Sequence, residues 1–131
     1  MKMVQMIIAL LLFASCNKRQ CGETELNSLL GRWEWVQSSG GISGTVSTPA
    51  STGKIIFLDI FDDETFTLTE NNIVTRQGKL NLKNQHCIHS NLTKPSISLG
   101  EGQQLTIETM TTTMLSLGQE QTDGMLFEYS R

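Results

Sequence analysis

Lys54-Ile55-Ile56-Phe57-Leu58-Asp59-Ile60-Phe61-Asp62-Asp63-Glu64-Thr65-Phe66-Thr67-Leu68-Thr69-Glu70-Asn71-Asn72-Ile73 holds two strands and two turns within twenty residues. Over Lys54 to Phe61, Ile56, Leu58 and Ile60 fall on one face of a strand, and Ile55, Phe57 and Phe61 on the other. Asp62-Asp63-Glu64 is a solvated turn. Phe66 and Leu68 then alternate with Thr65, Thr67 and Thr69, the period of a half-buried strand. Asn71-Asn72 predicts a tight hairpin, because asparagine tolerates positive φ.

The same grammar extends in both directions. Upstream, Gly31 to Ser38 reads as a strand with Trp33 and Trp35 on one face. Downstream, a strand from Ile73 to about Leu82 carries Gly78 as a bulge or bend. A further strand falls over Gln85 to His89 or over Ser96 to Leu99. Gln104 to Met110, Thr112 to Leu117 and Met125 to Ser130 complete the series, with Asp123-Gly124 as another hairpin turn. About eight consecutive antiparallel strands with short connections form a meander, and a meander removes its exposed edges by closing into a barrel. The fold class is therefore all-β, an eight-stranded antiparallel meander barrel. One connection is long: Ser39 to Thr52 shows no strand pattern, as lids and binding loops do.

Glu23 to Leu30 predicts one or two helical turns, with Leu26, Leu29 and Leu30 on one face and Gly31 as the stop. A short helix, Gly31-Arg32-Trp33 opening the first strand, a long first loop and a meander together resemble the lipocalin superfamily. That resemblance implies a barrel whose closed end is plugged by Trp33, with an arginine from the last strand packed across it. Phe127-Glu128-Tyr129-Ser130-Arg131 makes Arg131 the candidate, with Tyr129, Phe127 and Met125 on its face. The later Thr-Asp-Tyr motif of that superfamily has no clear counterpart here. Trp35, Phe57 and Tyr129 are candidates for lining a ligand cavity, against the simpler reading of core aromatics.

At the N-terminus, Lys2 precedes a run that is apolar from Val4 to Ala14 apart from Gln5. The run is far short of the roughly 20 residues of a spanning helix and matches a secretory signal. Phe13 and Leu12 misfit the small-residue rule of ordinary cleavage. Leu12-Phe13-Ala14-Ser15-Cys16 instead resembles a lipobox, and Leu-Phe-Ala-Ser-Cys-Asn-Lys resembles lipoproteins of the Bacteroidetes. More narrowly, the whole chain is similar to lipocalin-like lipoproteins of that group. The resemblance makes residues 1–15 a signal peptide and Cys16 the acylated first residue. Residues 16–22 then form a tether, and 23–131 the barrel domain. Asn17-Lys18-Arg19 carries no acidic run of the kind that surface-export signals resemble, which favours a periplasm-facing outer-membrane protein.

The mature 116 residues suffice for one domain and carry 9 basic against 13 acidic side chains. With no basic stripe, nucleic acid is not an expected partner. Once Cys16 is lipidated, Cys21 and Cys87 remain. In an oxidising compartment they read as a disulfide closing a loop of about 65 residues, worth ~4 kcal/mol; two unpaired thiols are the alternative. Cys87 and His89 could share a metal, but structural zinc usually takes four ligands and no second close pair exists. No metal, cofactor or catalytic set is expected, since no nucleophile-elbow sequence occurs. Two functions compete. In one, a small apolar or amphipathic ligand occupies the barrel; in the other, a filled barrel serves as an envelope interaction or maintenance protein.

Overall fold

A computed structural model describes residues 26–88 and 90–131. A helical turn over 26–29 (α1) leads into β1 (Gly31–Gly40), β2 (Thr45–Ser47), α2 (Pro49–Thr52), β3 (Ile56–Ile60), β4 (Thr65–Glu70), β5 (Ile73–His86), β6 (Thr93–Leu99), β7 (Gln104–Met110), β8 (Met114–Gln119) and β9 (Met125–Ser130). From β3 to β9 each strand pairs antiparallel with the next, and β1 pairs with both β3 and β9. The result is a closed, eight-stranded antiparallel barrel. Closure through the β1–β9 pairing joins the first and last strands of the meander, which would otherwise be open edges.

Cross-strand partners share a face, so the register shows how the interior is filled. Trp33 opposes Leu58, which opposes Leu68; Leu82 opposes Ile97, which opposes Leu105; Ile107 opposes Leu117, which opposes Phe127. Leu29, Trp33, Leu58, Ile60, Phe66, Leu80, Ile97, Leu115 and Leu117 are buried in one apolar cluster. Glu70 and Ile73 pair across Asn71 and Asn72, whose φ values of 50 and 67° make the twisted two-residue turn that suits a hairpin.

The structure corrects three readings of the chain. The connection after β1 is not patternless. It contains β2, which adds to β1 through Ser38↔Ser47 and Gly40↔Thr45, and the single-turn helix α2. Thr48 caps α2 in a reciprocal box with Ser51, Pro49 stands in its first turn, and Gly53 ends it in the left-handed conformation. Second, β5 runs on to His86, and the strand that follows it is Thr93–Leu99, so Gln85 belongs to β5. Third, the bulge of β5 lies at Thr75: Leu68 pairs with Arg76 and Thr69 with Val74, and Thr75 Oγ1 donates to Leu68 O at 3.1 Å. Gly78 pairs regularly with Phe66.

The end of the β5–β6 hairpin contacts β7 and the β8–β9 connection. Lys94 Nζ is 2.5 Å from Glu108 Oε2, Ile88 N donates to Glu120 Oε2 at 3.0 Å, and Cys87 Sγ is 3.9 Å from Thr106 Oγ1. Ser96 and Thr106, which pair across β6 and β7 on the face opposite Ile97 and Leu105, are fully buried. Small side chains there let the hairpin sit close.

Candidate ligand cavity at the open end of the barrel

The two ends of the barrel differ. At the end where β1 begins, Trp33 is fully buried and its Nε1 donates to Leu29 O at 2.8 Å, tying the indole to α1. The Arg131 guanidinium lies over that indole, 4.0 Å from the ring centroid. It donates to Leu30 O at 2.5 Å, Ser28 O at 3.1 Å and Thr112 O at 2.8 Å. A cation thus meets carbonyls at the C-terminal end of α1, where the helix dipole is negative. Gly31, at φ 112°, runs under this group, with the position of a side chain there 3.4 Å from Arg131 Nη1. Gly31, Trp33 and Arg131 together shut this end.

The other end is open and holds a cavity of about 340 Å³. A single backbone irregularity shapes it. β1 would alternate Trp33, Trp35 and Gln37 inward, but its register with β9 shifts between Trp35 and Gln37. The extra residue turns Gln37 toward Glu128 on the outer face and brings Ser38 inward. Ser38 Oγ then accepts from Trp35 Nε1 at 2.8 Å, and both side chains line the cavity.

Met125, Phe127 and Tyr129 of β9, which pairs with this part of β1, continue the same wall, and Ile56 and Leu68 of β3 and β4 line another. Ser47 of β2 and Thr52 of α2 overhang the opening. Lys54, the one charged lining residue among the described residues, is 3.1 Å from Glu70 Oε1, and its side chain is 49% exposed. The cavity is therefore apolar in its walls, hydroxyl-bearing at Ser38 and Tyr129, and charge-paired at its rim. Burial pushes the Tyr129 hydroxyl up to about 12, so it stays a protonated donor through neutral pH.

Of the three aromatic candidates, Trp35 and Tyr129 oppose each other across β1 and β9 and enter the cavity. Phe57 does not. It lies on the outer face of β3, where the Arg32 guanidinium stacks at 4.8 Å and pairs with Asp59 through two hydrogen bonds of 2.8 and 2.9 Å. β3 is apolar on both faces, so periodicity alone could not say which face turned inward. Ser38, Ile56, Leu68 and Lys54 were not legible as cavity residues. Ser38 would have required knowledge of the bulge.

Cys16 and Cys21 lie outside the described residues, as does His89, so the Cys21–Cys87 pairing and the Cys87–His89 reading fall outside them too. Cys87 itself is buried, at 1% exposure. Asp63 Oδ1 accepts from Thr65 N at 3.2 Å and from Thr65 Oγ1 at 2.5 Å, which gives the acidic turn a structural task. Among the described residues no group of three or more histidines, cysteines or carboxylates is placed to hold a metal. Comparison of the chain with family models, with curated proteins and with solved structures found no match.

Proposed function

We propose that this chain is a lipocalin-like, lipid-anchored envelope protein, facing the periplasm, whose barrel mouth holds one small apolar or amphipathic molecule. The observation that carries the reading is the cavity at the open end, within the size range of small-molecule sites. Its volume is about twice that of a protein cavity known to take up benzene, roughly 150 Å³. One or two fused rings, or a short acyl chain, match it. The filled-core alternative fits the lower barrel, where Trp33, Leu58 and Phe66 are buried, and fits less well the region above Trp35, where the cavity lies.

Location is argued from the sequence. Cys16, ten residues before Leu26, follows the small pair Ala14-Ser15 at the end of an apolar run. Acylation there would tether the domain from the side of α1, which packs at the closed end, with the cavity opening opposite. Cys16→Ala is expected to abolish labelling by a fatty-acid analogue and to release the protein from membranes. Undiminished labelling of the variant would remove the anchor from the proposal.

The ligand reading is tested by native mass spectrometry of the protein purified from its own cells. A bound species of one defined mass, lost on denaturation, is the expected result. Apo protein alone, which also fails to take up any of a panel of small apolar compounds, would favour the filled-barrel alternative.

A further inference from the structure

Resting on the ligand reading above, we infer that the cavity selects an apolar molecule carrying one uncharged hydrogen-bond acceptor, such as a ketone, ester or amide carbonyl, held by the hydroxyls of Tyr129 and Ser38. The Tyr129 side chain lines the cavity with 7% of its surface exposed, and its hydroxyl has no hydrogen-bond partner among the described residues. The hydroxyl is in reach of the solvent in the cavity, so an acceptor carried by a ligand would take the place of water on a donor set in a mostly apolar cup. Ser38 supplies a second donor. Its oxygen already accepts from Trp35 Nε1 at 2.8 Å, which leaves the hydroxyl proton to be given away. Both residues stand on the β1–β9 pair, where Trp35 opposes Tyr129 and Ser38 opposes Phe127, so they are diagonal neighbours on one wall.

The charge pattern decides which acceptor fits. Among the described lining residues the sole cation, Lys54, sits half-exposed at the rim with Glu70 beside it. A carboxylate seated against Tyr129 would therefore be desolvated with no counter-charge, which is far more costly than desolvating a carbonyl. Between two neutral donors, a neutral acceptor is favoured. The bulge in β1 reinforces this assignment: without it Gln37 would face inward in place of Ser38.

Three probes of nearly equal shape separate the possibilities: acetylnaphthalene, ethylnaphthalene and naphthoate. Binding is followed by nuclear magnetic resonance on the Trp35 indole N–H, which lines the cavity. The ketone should bind at least about tenfold more tightly than the carboxylate at neutral pH. Tyr129→Phe should lower the ketone-to-hydrocarbon affinity ratio about three- to tenfold, the worth of one neutral hydrogen bond. Ser38→Ala should lower the same ratio, and decides the matter if Tyr129→Phe fails to fold. An unaltered ratio in the folded variants overturns the inference while leaving the cavity as a simple apolar site. Tighter binding of naphthoate also overturns it, and moves the polar end of the ligand to Lys54. Failure of all three probes to bind the folded wild-type protein instead strikes at the ligand-binding reading itself.

Discussion

Trp33→Ala is expected to cost about 3–5 kcal/mol of folding stability, the range for deleting a large aromatic from a packed core. The indole is fully buried, stands opposite Leu58 in the middle of β3, and anchors α1 through the 2.8 Å bond to Leu29 O. The loss is a large share of the 5–15 kcal/mol that holds a typical domain together. Arg131→Ala should cost less, about 1–3 kcal/mol, because the guanidinium is exposed on one side while it satisfies three carbonyls. The informative quantity is the coupling between them. With the guanidinium 4.0 Å from the ring centroid, a double-mutant cycle in denaturant should show an interaction of about 0.5–2 kcal/mol. Losses that simply add would mean that Arg131 secures α1 and the β7–β8 turn without using the indole.

Tyr129 should remain protonated well above the usual range of a phenol and destabilise the barrel when it is forced to ionise. Burial raises its pKa from 10 to about 12, since the phenolate would lose its hydration inside an apolar wall. The unfolded chain then releases the proton first. Stability is thus fully present below pH 10 and is lost progressively as pH rises from about 10 through about 12. The full effect is on the order of 2–3 kcal/mol. The measurement is unusually clean because the chain has one tyrosine, so the ultraviolet tyrosinate signal reports this residue alone. Its midpoint should coincide with the onset of alkaline unfolding. A reversible midpoint near 10 in the folded protein would place the hydroxyl in water, and Tyr129→Phe should remove the alkaline loss.

Period-two alternation was enough to read most of the barrel. Phe66 and Leu68 among threonines, Asn71-Asn72 as a turn, and Trp33 with Trp35 on one face all depend on neighbours within a few residues, and the hydrophobic effect acts on that local pattern directly. Number and order of strands follow from the same signal, and closure follows from the cost of leaving edges bare. Three features escaped. β2 and α2 hide in a Ser-Gly-Thr stretch with no apolar period, because β2 is held by backbone pairing to β1, and α2 by the Thr48–Ser51 box. Polar Lys83 to His86 hold strand geometry only because β6 lies beside them.

The candidate cavity depended still more on the closed fold. The aromatic residues that can line it were legible as residue types, but β3 offers an apolar side chain on each face, and only pairing with β1 and β4 turned Leu58 in and Phe57 out. Ser38 enters by way of one extra residue opposite β9, a mismatch between two strands that are 91 positions apart at Gln37 and Glu128. Local sequence determined strands and turns, while the plugged end was an implication of the resemblance and needed the last strand to meet the first. Where the space lies, and which hydroxyls face it, was decided by how the first and last strands meet, because register between distant strands is set by the packing of the whole barrel.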